Sequence, residues 1–351
     1  MLVGGGTGGH VFPALAVADE LRARSPQQEI AFIGVETGLE SRLVPAAGYR
    51  LHTITAAGFR GGGWNAKARS FWLLGRSAVA CGHLLREFNP EAVFSVGGYV
   101  SAPAMLAAVF SQRPTVVFEP NAEPGLANRV LAPLATRVAV TYEATLRFFD
   151  HAVRTGSPVR REFLRVPQKK HEPPSTLLIF GGSQGARAIN AAVVDSLDSL
   201  RAAHPELHFI HQTGQRDFDA VRTAYARRGI RAHVRPFIDN MADCFAQTDV
   251  VVCRAGASTL AELATAGKAA VLVPFPHAAD QHQLRNAELL ARAGAACLLE
   301  QRELTGERLA ATLRELLEHP TRIERMEEHM RAFAVPAAAA RIADLIESVV
   351  R

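Results

Sequence analysis

Two short glycine-rich turns constrain this chain more than any other feature, Gly4-Gly5-Gly6-Thr7-Gly8-Gly9-His10 near its start and Gly181-Gly182-Ser183-Gln184-Gly185 near its middle. Each follows an apolar run and precedes a helix-like stretch. Glycine at such a turn permits backbone torsions and close approaches that a Cβ blocks. The helix beyond offers unpaired N–H groups to an anion. Two copies predict two nucleotide-fold halves facing one cleft. With a histidine beside the first copy, they point to a two-domain enzyme acting on a phosphate-bearing substrate.

The rest of the chain fits that reading. Short β-prone runs over 30–34, 92–96, 115–118 and 137–140 alternate with helix-like stretches over 13–24 and 70–88. Such alternation favours a parallel sheet covered by helices. A polar, proline-rich segment over 166–174 reads as a linker. Beyond it the pattern restarts, with strands over 176–180, 208–212, 250–253 and 270–273 and a helix over 186–200. With 351 residues and 48% hydrophobic content, the chain can bury two ordinary cores. The expected division is 1–160, 161–335 with a linker near 165–175, and a helical tail over 336–351. That tail either closes the second domain or crosses back to brace the first. Only Met1-Leu2-Val3 precede the first turn, fewer than the roughly five or six residues of a common strand. The opening strand is therefore short, or it starts before the first residue.

A formal charge of +5 fits nucleic acid, an anionic membrane or a phosphorylated ligand without choosing among them. Cys81, Cys244, Cys253 and Cys297 form no Cys-x-x-Cys pair and read as reduced, mostly buried thiols of a cytosolic protein. No apolar run reaches the roughly 18 residues of a membrane span, so a soluble protein able to rest on a membrane surface is expected.

Gly4, Gly6 and Gly9 match G-x-G-x-x-G, but the next acidic residue, Glu36, lies farther along than a dinucleotide fingerprint requires. NAD or FAD binding is not favoured. His10 enters the helix after the turn, where it either accepts a proton from a reacting hydroxyl or simply caps and packs the turn. Gly97-Gly98-Tyr99-Val100-Ser101 and Glu119-Pro120-Asn121 follow later strands, whose ends converge on the ligand crevice of an open parallel sheet. Glu119 and Asn121 either serve a ligand or form a turn and cap.

In the second half, backbone N–H groups beside Ser183 and Gln184 can hold two linked phosphates, with Arg160 as a planar cation. Arg160 paired with a carboxylate between the lobes is the alternative. Arg254-Ala255-Gly256-Ala257-Ser258-Thr259-Leu260-Ala261-Glu262 makes another strand-to-helix transition. There Ser258 and Thr259 are expected to cap and a first-turn Glu262 to take ribose hydroxyls. Residues 237–241, including Ile238 and Met241, offer apolar surface and backbone polar groups to a base. His277, Asp280, His282, Gln283 and Asn286 have no recognised metal spacing and suit sugar hydroxyls better. Over 60–88 and the residue before it, Arg60, Lys67, Arg69, Arg76 and Arg86 mix with Phe59, Trp64, Phe71, Trp72, Leu73 and Leu74. That mixture suits an anionic lipid surface, or is partly helix core.

Taken together, residues 5–10, 97–101, 181–186 and His282-Gln283-x-x-Asn286-Ala287 resemble the MurG family over nearly all the chain. These are bacterial peptidoglycan N-acetylglucosaminyltransferases of the GT-B class. The resemblance implies an α/β GT-B fold of two Rossmann-like parallel-sheet domains. The first would be acceptor-binding and membrane-facing, and the second would bind UDP-sugar. It implies transfer of N-acetylglucosamine from UDP-N-acetylglucosamine to lipid I, an undecaprenyl-diphosphate-linked N-acetylmuramyl pentapeptide, giving lipid II. No cofactor or metal is required, the nucleotide sugar being a substrate. The implied partners are the lipid-linked acceptor, the cytoplasmic face of an anionic bacterial membrane, where the protein would be peripheral, and other cell-wall synthesis proteins. No nucleic acid is implied.

Carried over residue by residue, the resemblance assigns donor contacts to Thr7, Gly8, Gly9, Arg160, Ser183, Gln184, Gly185, Ile238, Met241, Glu262, Gln283 and Asn286. It assigns acceptor contacts to His10, Tyr99, Ser101 and Asn121, with His10 the candidate base and Asn121 orienting the acceptor. The muramyl 4-hydroxyl would attack the anomeric carbon with inversion from an α-linked donor to a β-1,4 bond. Two departures bear on details. Phe118-Glu119-Pro120-Asn121 lacks the histidine and glutamine of the family's His-Glu-Gln-Asn, and Ser157 stands where asparagine is common. The rivals are a UDP-N-acetylglucosamine epimerase of similar fold, which extra buried carboxylates around the sugar would favour, and a non-enzymatic UDP-sugar sensor.

Overall fold

The computed structural model describes residues 1–6, 8–55 and 64–350, with the side chains of the helix beginning at residue 64 described from residue 72 onward. The chain divides into two compact units, Met1–Arg160 with Val335–Arg351, and Arg161–Ala334.

In the first unit the elements run β1 (Leu2–Val3), α1 (Gly8–Arg24), β2 (Ala31–Gly34), α2 (Glu40–Ala46), β3 (Arg50–Thr53), α3 (Trp64–Phe88), β4 (Val93–Ser95), α4 (Ser101–Phe110), β5 (Thr115–Glu119), α5 (Leu126–Leu131), β6 (Arg137–Val140) and β7 (Ala152–Arg154). Their seven strands form one parallel sheet in the order β3-β2-β1-β4-β5-β6-β7. Although β1 has only two residues, it is flanked on both sides, Leu2 opposite Phe32 and Phe94, Val3 opposite Ile33 and Ser95. Every residue of β1, β2, β4 and β5 is buried, as a sheet covered on both faces demands.

The second unit runs β8 (Thr176–Phe180), α6 (Arg187–Ala203), β9 (His208–Gln212), α7 (Phe218–Arg227), β10 (Ala232–Arg235), α8 (Met241–Gln247), β11 (Val250–Cys253), α9 (Ala257–Ala266), β12 (Ala269–Leu272), α10 (His282–Arg292), β13 (Ala296–Leu298), α11 (Gly306–Leu317) and α12 (Pro320–Arg331). Its six-stranded sheet, again parallel, has the order β10-β9-β8-β11-β12-β13. The last helix, α13 (Ala338–Val350), belongs to the first unit. There Ile342, Ala343 and Ile346 share a core with Val11, Ala14 and Val17 of α1. Arg24 fastens the pair through Asp344 at 2.7 Å, Glu347 at 3.3 Å and the Ala340 carbonyl at 3.0 Å.

In each unit strand order reverses at one place, between β1 and β4 and between β8 and β11. In open parallel sheets the crevice beyond the strand C-termini at that reversal is where ligands sit. Both glycine turns leave such a strand end.

Several expected boundaries shift. Helix α1 starts at Gly8 rather than Pro13, so Gly8, Gly9 and His10 are its opening turn. Pro13 lies inside the helix and has no N–H to give the Gly9 carbonyl. Helix α3 starts at Trp64 rather than residue 70. No helix of the described residues is long and apolar enough to cross a membrane. Cys81 and Cys253 are buried and Cys244 and Cys297 partly so, all four unpaired. Burial pushes the Cys81 thiol up to about 12.

Candidate functional site

At the reversal in the first unit, the turns after β1 and β4 interleave. A Cβ on Gly98 would lie 3.3 Å from His10 Nδ1, and one on Gly6 would lie 3.0 Å from Tyr99 Cε1. Both glycines have positive φ, +87° each, a conformation other residues rarely adopt. Thus half-buried His10 and exposed Tyr99 are brought together by glycines that make room for their rings. Burial, and then the charge of Glu40, push the Tyr99 phenol up, so it stays a hydrogen-bond donor at neutral pH. Thr7 lies outside the described residues.

Ser101 is placed differently from the expectation. It is fully buried at the start of α4, and its hydroxyl donates to the Gly97 carbonyl at 2.7 Å. Its side chain holds the turn that carries Tyr99. On the neighbouring strand end, Glu119 is buried and organises its loop. Oε1 accepts the Asn121 N–H and Nδ2, each at 2.9 Å, while Oε2 accepts Asn128 Nδ2 at 2.9 Å and the Gly125 N–H at 3.2 Å. Burial raises this carboxyl above the ordinary range against the pull of those bonds. Glu119 therefore acts on its own loop, fixing Asn121, the turn-forming role of the two readings. Asn128 also lies against Gly97, its Oδ1 buried without a hydrogen-bond partner among the described residues. It joins the Asn121 loop to the Tyr99 loop.

Arg160 ends the first unit, with its guanidinium 5.0 Å from the centre of the Phe12 ring in α1. Ser157, which replaces the family's asparagine, is buried and its hydroxyl finds no partner among the described residues.

In the second unit Ser183 and Gln184 are exposed on a turn closed by the Gly185 N–H to the Gly182 carbonyl at 3.0 Å. Helix α6 follows directly, so its N-terminal N–H groups lie beside the turn. Gly185 has φ +77°, and a Cβ there would collide with the Thr213 carbonyl; one on Gly214 would collide with the Gln184 carbonyl. Ile238 and Met241 are buried at the entry to α8, with exposed Phe237 beside them.

Helix α9 is capped by the backbone of Gly256, and neither Ser258 nor Thr259 caps it. Glu262 falls in the second turn, not the first, and is nearly buried. Arg254 Nη1 donates to the Val273 and Pro274 carbonyls at 3.1 and 3.0 Å, holding the loop after β12. On that loop the Phe275 N–H donates to Gln283 Oε1 at 3.0 Å. Asn286 is fully buried within α10. No group of three or more His, Cys, Asp or Glu among the described residues is arranged to hold a metal ion.

The pattern of the glycosyltransferase family 28 N-terminal domain matches residues 1–140, and that of the family 28 C-terminal domain matches residues 176–345. This chain belongs to glycosyltransferase family 28. Relatives in the family include one from Geotalea daltonii, 45% identical over 350 residues, covering 98% of this chain and 96% of that protein. Another is from Myxococcus xanthus, 42% identical, covering 98% and 91%. Both bear the name UDP-N-acetylglucosamine–N-acetylmuramyl-(pentapeptide) pyrophosphoryl-undecaprenol N-acetylglucosamine transferase. The crystal structure of Acinetobacter baumannii MurG superposes with a TM-score of 0.81 at 32% identity, covering 99% of each chain. A UDP-N-acetylglucosamine 2-epimerase from Neisseria meningitidis shares the fold alone, with TM-score 0.69 at 12% identity. The family 28 chain is thus an α/β glycosyltransferase of the GT-B class, with two Rossmann-like parallel-sheet domains.

Three residues of this family 28 chain escaped the sequence reading. Glu40 is fully buried beneath the first turn, accepting the Gly6 N–H at 2.8 Å and the Val35 N–H at 2.9 Å. A Cβ on Gly5, Gly34 or Gly38 would strike its side chain. The others are Asn128 and Gln212. Only the spacing of Glu40 among those glycines could have hinted at its role.

Proposed function

We propose that this chain transfers N-acetylglucosamine from UDP-N-acetylglucosamine to the muramyl 4-hydroxyl of an undecaprenyl-diphosphate-linked N-acetylmuramyl pentapeptide, releasing UDP. The observation that carries this is end-to-end likeness, 45% identity across 98% of the chain, to an enzyme named for that transfer. Donor diphosphate would rest on the Ser183-Gln184-Gly185 turn and the start of α6, with Arg160 as the cation. Uracil would lie at Ile238 and Met241, ribose at Glu262 and the sugar at Gln283, with Thr7, Gly8 and Gly9 completing the donor contacts. Asn286, being buried, would support α10 behind the sugar.

In the reaction the acceptor 4-oxygen forms a bond to the anomeric carbon as the bond from that carbon to the diphosphate oxygen breaks. The hydroxyl proton passes to His10, and the electron pair leaves with UDP. Charge developing on the diphosphate is stabilised by N–H groups already oriented by the glycine turn, and by Arg160. His10, with its ring seated against Gly98, is placed by the fold rather than by the ligand. Tyr99 and Asn121 would orient the acceptor, and Ser101 would act through the Tyr99 turn.

With a lipid-linked acceptor the work would lie at a membrane surface, which we read as the cytoplasmic face of the bacterial plasma membrane. In α3, Trp72 is 59% exposed and Arg76 is exposed beside it, its guanidinium 4.7 Å from the indole centre. An amphipathic ring beside a cation suits an anionic headgroup layer. The other members of the expected membrane face between 59 and 71 lie outside the described side chains. The test is UDP release by purified protein with and without a soluble lipid I analogue. Release that depends on the analogue and matches disaccharide formed supports the reading, and release without disaccharide rejects it.

A further inference from the structure

Gln212 closes β9, is 2% exposed, and spans two loops with its amide. Nε2 donates to the Gly182 carbonyl at 2.9 Å, and Oε1 accepts the Ile238 N–H at 2.8 Å. The residues after it lock the same region. Thr213 and Gly214 lie so close to Gly185 and Gln184 that neither glycine has room for a Cβ. Asn190, from α6, donates to the Thr213 carbonyl at 2.9 Å and to Asp217 at 2.8 Å. One buried side chain therefore sets the separation of the turn proposed for the diphosphate and the loop proposed for the base.

We infer that Gln212 is a positioning residue that makes the two loops recognise a nucleoside diphosphate as a single unit. This rests on the donor site proposed above. A nucleoside diphosphate carries its base and phosphates at a span set by the ribose. Both ends engage without extra ordering cost only where the loops already stand at that span. A ligand that touches one loop gains nothing from the strap.

The experiment measures dissociation constants of UDP, uridine and inorganic pyrophosphate for wild-type protein, Gln212→Met and Gln212→Glu, together with melting temperatures. Methionine fills a similar volume and removes both hydrogen bonds. Glutamate keeps an acceptor for the Ile238 N–H but loses the donor to Gly182. Gln212→Met is expected to weaken UDP by about tenfold or more, the loss of one to two net hydrogen bonds. Uridine and pyrophosphate should each change by less than about threefold, within half a net hydrogen bond. Gln212→Glu sets a carboxylate oxygen against the Gly182 carbonyl and should weaken UDP at least as much, and it carries the same comparison if the methionine variant does not fold. Equal weakening of all three ligands in step with a lower melting temperature overturns the inference, because packing alone does that. Unchanged UDP binding overturns it as well. Wild-type protein that does not bind UDP overturns the donor site itself and the inference with it.

Discussion

Glu40 Oε2 accepts the Gly6 N–H at 2.8 Å across 34 positions of sequence, while Oε1 accepts the N–H of Val35. The turn that carries His10 is therefore held from below by a fully buried carboxylate. Glu40→Gln keeps the shape but sets an NH2 against one of the two N–H groups. It should cost about 2 kcal/mol in denaturant unfolding, the penalty of a buried donor left unpaired. It should also lower turnover. A loss within about 0.5 kcal/mol, the range of ordinary surface substitutions, would show that the turn stands without it.

In the proposed mechanism His10 takes the hydroxyl proton and does not hold the nucleotide. His10→Ala should lower kcat by about 10²-fold or more, the usual contribution of a general base. The dissociation constant for UDP, measured by calorimetry, should hardly move. Unchanged turnover rejects the general-base assignment.

The second unit carries a buried ionic cluster at the N-terminal ends of β8 and β11, the ends opposite the donor loops. His171 Nδ1 lies 2.8 Å from Asp249 and Nε2 lies 3.3 Å from Glu327, while Lys169 also pairs with Asp249. Lys268 and Arg331 border the same cluster. Burial pulls the imidazole down, but its bonds to the two carboxylates outweigh that and hold it up at about 9. Since the folded value lies above the unfolded one, near 6.5, the stabilisation is complete below pH about 6.5 and is lost as pH rises through about 9. The size of the effect is on the order of 3 kcal/mol. Unfolding free energies between those pH values should fall for wild type and fall much less for His171→Leu. Parallel profiles would contradict the assignment.

Trp72 and Arg76 provide the test of the membrane face. The double variant Trp72→Ser, Arg76→Glu should weaken binding to phosphatidylglycerol vesicles by about tenfold, since one basic residue near such a surface contributes about 1 kcal/mol and the ring adds to it. UDP affinity should be unchanged. Equal vesicle binding would move the docking surface elsewhere.

The central strands were legible because a strand buried on both faces must be apolar throughout. Val250–Cys253 and Thr176–Phe180 stand where their unbroken apolar runs placed them. The outer strands β3 and β10, with Arg50, His52, His233 and Arg235, carry polar and charged side chains on partly exposed edges and left no such run. Glycine and proline, with their local tendency to break helices, hid the true start of α1, where His10 packs against Gly98. At the candidate site, glycine turns marked where ligands approach. The residues that fix those turns did not announce themselves. Glu40 reaches Gly6 from another helix, and Gln212 looks like an ordinary strand end until Gly182 and Ile238 are seen on either side of it.

Transfer with inversion is tested most directly by the proton NMR spectrum of the sugar product formed from UDP-N-acetylglucosamine and a soluble lipid I analogue. The account predicts a disaccharide whose new anomeric proton reports a β-1,4 linkage, formed in step with UDP. An α linkage, free N-acetylglucosamine, or N-acetylmannosamine without disaccharide would contradict it.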